Sequence, residues 1–167
     1  ISACLVGSEM CIRDSYATLM PIFAREVFRT GPQGFGFLMS APAVGSLLAA
    51  VMMTALGHRH RLGGIIVFGS FLFPVALLLL SGAPSFTAAV CFLFLTGFGM
   101  MSFNAASNTM LQKSPPDELR GRVMGLRSFV FAGMAPLGNL QIGAVGQWLG
   151  PRWAVAIGAL ACLATAG

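Results

Sequence analysis

Long stretches of this chain carry no charged side chain at all. Residues 62–112 contain no Asp, Glu, Lys or Arg, and neither do residues 128–151. Between them residues 114–126, SPPDELRGRVMGL, collect charge into one short hinge. A bilayer-crossing helix needs about 20 mostly apolar residues, and uncharged runs of this length suit lipid as their solvent. The pattern predicts complete spans over 34–56, 63–81, 85–111 and 123–149. Residues 16–24 read as the end of an earlier helix, and 153–167 as the start of a later one. The expected fold class is therefore an all-α integral membrane protein of several passes.

Composition sharpens this. Hydrophobic residues make up 56% and charged residues 9%, against roughly 25% charged in soluble domains. The 21 glycines suit membrane helices that pack closely. The net charge of +5 sits in short loops and not along one face, which argues for topology and against nucleic acid as a partner. If sides alternate along the chain, Arg59, Arg61, Lys113, Arg120, Arg122 and Arg127 share one side, and Arg25, Arg29 and Arg152 the other. The positive-inside rule then puts the first set in the cytoplasm, in the inner (plasma) membrane of a cell. Trp148 and Trp153 flank the link at 150–152, as an interfacial aromatic belt would.

Local signals fit the same helices. Ser114, Pro115 and Asp117 form a helix start: a capping hydroxyl, a proline in the first turn and an acid near the positive dipole end. Pro42, Pro74 and Pro136 fall inside spans, where they should kink or open the helix. Three glycine pairs, Gly97 with Gly99, Gly121 with Gly125 and Gly146 with Gly150, are expected to admit close helix approach. Residues 1–15, ISACLVGSEMCIRDS, fit neither a signal peptide nor a span. They resemble a translated sequencing-adapter tail, so the division expected is 1–15 non-native and 16–167 a partial helix bundle. Cys4 and Cys11 belong to that tail, while Cys91 and Cys162 lie alone in apolar runs and read as small packing residues.

No predicted span holds an ionisable group well inside it, so a proton relay or substrate counter-ion would lie elsewhere. Uncharged polar groups remain. Asn104 and Asn108 share a helix face with Ser107 beside them, and Asn139 and Gln141 sit mid-span. These five are the substrate-pathway candidates, since amides at that depth must find partners. The alternative is that they tie helices together, at about 1 kcal/mol per bond. His58 and His60 make an H-x-H among arginines with no third ligand, which reads as a solvated basic loop, so no metal and no cofactor are expected. Enzyme signatures are lacking: there is no P-loop, nucleophile elbow or H-E-x-x-H, and Asp117 and Glu118 point apart on a helix.

The segment NTMLQKSPPDELRGRVMGLRSFVFAGMAPLGNLQIGAVGQWLG resembles the matching stretch of major facilitator superfamily exporters, in the enterobactin-exporter-like or transmembrane secretion effector branch. The features shared are Asn108 and Gln112, Pro116 to Met124, and Pro136 to Gly138; residues 21–50 resemble the branch's seventh-to-eighth helix region. The resemblance implies the C-terminal six-helix half of a twelve-helix bundle, truncated at both ends, whose partner is a missing N-terminal six-helix half. It also implies alternating access, with two halves rocking about a central site. By that analogy Arg61, Asp117, Glu118, Arg120 and Arg122 form a cytoplasmic gate or brace. One departure is visible in the loop after the first span. Gly57, Arg61 and Gly63 fit the superfamily pattern, but His60 stands where an acid is usual, and Gly64 and Ile65 replace a basic pair.

The function expected is a secondary active transporter exporting small amphipathic or hydrophobic molecules, with lipid around it and protons as coupling ion. An importer of a sugar or other metabolite is the alternative within transport. A membrane-embedded enzyme would need converging ionisable groups, and a sensor or scaffold would lack polar residues in the remaining spans.

Overall fold

A computed structural model describes residues 20–22, 31–56, 62–113 and 117–166. After a short helical piece at 20–22 come α1 (Pro32–Leu56), α2 (Leu62–Ser81), α3 (Phe86–Lys113), α4 (Asp117–Leu149) and α5 (Pro151–Ala166). Among the described residues there is no strand. Three segments, Pro32–Ala55, Gly63–Ser81 and Phe86–Gln112, are both long and apolar enough to cross a membrane. The fourth expected span, 123–149, is helical as the inner part of α4, which at 33 residues exceeds the length a crossing requires.

Helix ends follow from local chemistry. The Gly31 carbonyl accepts from the Gly34 and Phe35 amides at 3.0 and 3.3 Å, while Pro32, in the first helical position, has no N–H to leave unpaired. At the start of α3 the Ala88 amide donates to Ser85 Oγ at 3.3 Å, a side-chain cap. Gly150 alone separates α4 from α5. Its φ of 88° is one that side chains with a Cβ rarely adopt, and its carbonyl accepts from the Ala154 amide at 3.2 Å. Asp117 opens α4, in keeping with the expected acid near a helix start; Ser114 and Pro115 lie outside the described residues.

Within the helices hydroxyl groups are satisfied by the backbone of the preceding turn. Ser40, Ser46, Ser70 and Ser81 donate three residues back, and Thr96, Ser102 and Thr109 four back, at 2.7–3.0 Å. Thr96 and Ser102 are thereby buried without an unmet donor. The helices run on through Pro42, Pro74 and Pro136, each of which removes one helical N–H donor.

The helices pack in the order α1, α3, α2, α5, α4, so α3 lies between α1 and α2, and α5 joins α2 to α4. Leu38, Phe73, Leu77, Leu80, Leu93, Val155 and Cys162 form the shared core, together with Met20. Lipid is as apolar as these side chains, so the gain comes from close packing and not from escape from water. Glycine permits that closeness at both flanks of α3. A methyl group on Gly45 would overlap the Phe94 carbonyl, and one on Gly97 would overlap Pro42. With only hydrogen in those two directions, the backbones of α1 and α3 come together at this crossing. On the other flank, a Cβ on Gly69 would stand 2.9 Å from the Phe103 amide nitrogen, and one on Gly99 3.1 Å from that of Phe73.

Gly97 and Gly99 thus serve close approach as expected, one toward α1 and one toward α2. Gly121 and Gly125 do not, since both have open space where a Cβ would go; of the third pair, Gly150 shapes a turn and has open space beside it, and Gly146 is buried. A four-residue glycine spacing produces a tight crossing only where another helix lies against that face.

Candidate functional site

The polar candidates on α3 fall on its last three turns. Asn104 and Ser107 are half-buried and Asn108 is exposed, all beyond the Gly97 crossing. Helical geometry places Asn104 and Asn108 on the flank that also carries Gly97. Asn139 and Gln141 lie in the second half of α4, and their side-chain surroundings are outside the described part of the structure. Because α4 packs chiefly on α5, and α3 on α1 and α2, the two amide pairs stand on helices that are not main packing partners.

Of the gate candidates, Arg61 lies outside the described residues. Asp117, Glu118, Arg120 and Arg122 occupy the first two turns of α4, with Glu118 and Arg122 four positions apart, and the Arg122 side chain is exposed. At the opposite end of the helices, Arg152 donates to the Ala83 carbonyl at 3.5 Å. That contact brings the α2–α3 link and the α4–α5 turn to the same side, as alternating spans require. Trp148 and Trp153, beside it, are 88% and 64% exposed, in positions fit for a membrane interface.

A groove that the sequence did not reveal runs along the α1–α3 seam. Its volume is about 560 Å³, and Phe37, Ser40, Val44, Cys91, Phe94 and Leu95 line most of it. It lies near the Pro32 and Phe86 ends of the two helices, because they meet tightly at Gly45 and Gly97. Its one hydroxyl has its proton committed, since Ser40 Oγ donates to the Phe37 carbonyl at 2.9 Å, which leaves it as an acceptor. Cys91, expected as a packing residue, is instead exposed on the groove wall; Cys162 is buried as expected, and neither forms a disulfide. The signal in the sequence was the spacing of Phe37, Ser40, Ala41 and Val44, one helix face with small residues between bulky ones. Among the described residues no three of His, Cys, Asp or Glu cluster as a metal site would.

Spanning helices, hydroxyls turned inward to their own backbone and charge kept to the links and the helix ends define a multi-pass membrane protein. The chain belongs to the Major Facilitator Superfamily, whose sequence model matches residues 3–167. The family is one of transporters and not of enzymes. Among curated relatives the chain is similar to the staphyloferrin A transporter of Staphylococcus aureus, at 28% identity over 128 residues. That match covers 75% of this chain and 31% of the relative, so the chain spans about a third of the relative's length.

Proposed function

We propose that this chain is the C-terminal part of a secondary active transporter that exports small amphipathic or hydrophobic molecules by alternating access. The observation that carries the reading is the family match over 3–167, supported by three membrane-capable helices within it. The twelve-helix frame, the enterobactin-exporter-like branch and the adapter origin of residues 1–15 belong to the same proposal. They rest on the motif between Pro116 and Met124 and on the composition of the tail. In this reading Asn104, Ser107, Asn108, Asn139 and Gln141 present hydrogen-bonding groups to the solute. Arg61, Asp117, Glu118, Arg120 and Arg122 brace the cytoplasmic ends of the helices. The N-terminal half of the protein supplies the opposite wall, and protons supply the drive. The apolar groove and the absence of charge within α1, α2 and most of α3 favour an amphipathic solute over a small charged one.

Import is the second reading, since the relative named for staphyloferrin A is called a transporter with no direction given. One experiment separates them. The complete protein, reconstituted in vesicles of known orientation, is given a proton gradient of either sign and a panel of amphipathic dyes. Dye leaving the cytoplasmic side under an inward proton gradient supports export. Accumulation on the cytoplasmic side establishes import, and no gradient-dependent movement of any solute overturns the transport reading.

A further inference from the structure

Arg152 is a cation that its own helix disfavours. It is the second residue of α5, beside the positive end of that helix's dipole. Among the described residues the carboxylates are Asp117 and Glu118, which open α4 at the other end of the bundle, about 48 Å away along that helix. The links that share the Arg152 end, residues 82–85 and 150–152, carry no other charge. The Ala83 carbonyl, just past the end of α2, accepts one guanidinium N–H at 3.5 Å. A neutral carbonyl occupies one of five donors and leaves the charge unneutralised, on a side chain that is exposed.

The neighbouring sequence fixes the depth of this group. Residues 128–151 carry no charge, so Arg152 is the first charged side chain met on leaving the bilayer along α4. Trp148 and Trp153, both largely exposed, stand on either side of the Gly150 turn. Exposed indoles at that boundary keep their rings among the upper acyl chains and their N–H groups in the polar layer. Phospholipid phosphates lie in that layer.

We propose that Arg152, with Trp148 and Trp153 on either side, is a docking point for the phosphate of an anionic phospholipid. A guanidinium takes two phosphate oxygens through parallel N–H bonds, and the contact with Ala83 leaves donors enough to do so. A lipid of net negative charge neutralises the cation, whereas a zwitterionic headgroup brings its own ammonium to compete for the same phosphate. The two indoles confine the glycerol and upper acyl region beside it. Because the same guanidinium holds the Ala83 carbonyl, a lipid seated there also steadies the junction of the α2–α3 link with the α4–α5 turn. The inference needs only the membrane-spanning architecture and holds for either direction of transport.

Photocapture at the site tests this. The complete protein, with p-benzoylphenylalanine in place of Trp153 to keep an aromatic ring there, is irradiated in nanodiscs of phosphatidylcholine containing phosphatidylglycerol. The captured lipid is identified by mass spectrometry. Phosphatidylglycerol should be over-represented about fivefold relative to its share of the disc, the effect of one arginine at an anionic surface. Arg152→Gln should return capture to the bulk proportion, and Arg152→Lys should keep part of the excess. Raising the salt should also lower the excess. That arm reads the charge with Arg152 in place, so it decides the matter even where Arg152→Gln fails to fold. Capture in bulk proportion, whatever stands at 152 and at any salt, would overturn the proposal and leave an ordinary interfacial belt. Capture of protein in place of lipid would overturn it too, by showing that the rest of the molecule covers the site. Glu26, outside the described residues, is the one carboxylate between residues 16 and 116. Enrichment that appears only on Glu26→Gln would make Glu26 the counter-ion of Arg152 and sink the lipid assignment.

Discussion

At the scale of single residues, the glycines of α3 and its neighbours divide into two physical kinds, and substitution should tell them apart. A methyl group at Gly45 collides with the Phe94 carbonyl, a backbone atom that cannot step aside without moving a helix. Gly45→Ala should therefore cost about 1–3 kcal/mol of stability, as overpacking does. Gly125 meets open space, so Gly125→Ala should be neutral or gain up to about 1 kcal/mol from better helix propensity. Thermal unfolding of the complete protein in detergent, the two variants side by side, checks both; equal midpoints would refute the distinction. The sequence does not separate the two kinds, because a glycine does not record whether a helix lies opposite. Asn104 is a second residue-scale test. If its amide serves the solute, Asn104→Leu should shift the relative rates for hydroxylated and plain solutes by roughly fivefold, the worth of about one hydrogen bond. An unchanged inhibition pattern across several solutes would return Asn104 to a structural role.

At the scale of elements, the helices themselves were legible. The uncharged runs placed α1, α2 and α3 within about two residues of their observed ends, because lipid leaves a helix few alternatives to an apolar, hydrogen-bonded run. The start of α4 was half legible. Hydropathy places the span at 123, whereas the charged residues from Asp117 onward already belong to the helix. Charge is excluded from the bilayer, not from the helix, so the two boundaries part there. The α1–α3 groove was not legible, since it exists only where two helices diverge from a crossing set by Gly45 and Gly97. The first two turns of α4 carry the element-scale prediction. If they form a brace, Arg122→Ala should slow transport roughly tenfold or more, through loss of a charge-assisted bond of about 1.5–3 kcal/mol. Membrane insertion should stay near wild type, because Arg122 is exposed. Transport equal to wild type at matched expression would remove the brace.

At the scale of the whole molecule, α3 is the organising element, gripped on one side by α1 and on the other by α2. Hydrogen exchange should therefore be slowest in the centre of α3, around Leu93 to Phe103, and faster in α4, whose main neighbour is α5. Measured exchange as slow in α4 as in α3 would show that α4 is held by contacts beyond those of this bundle. The single residue between α4 and α5 has a consequence of another sort. One extended residue reaches no further than about 3.6 Å, so the chain reverses from α4 into α5 with no loop to spare. An epitope tag or protease site placed at Gly150 would therefore have to push α4 and α5 apart.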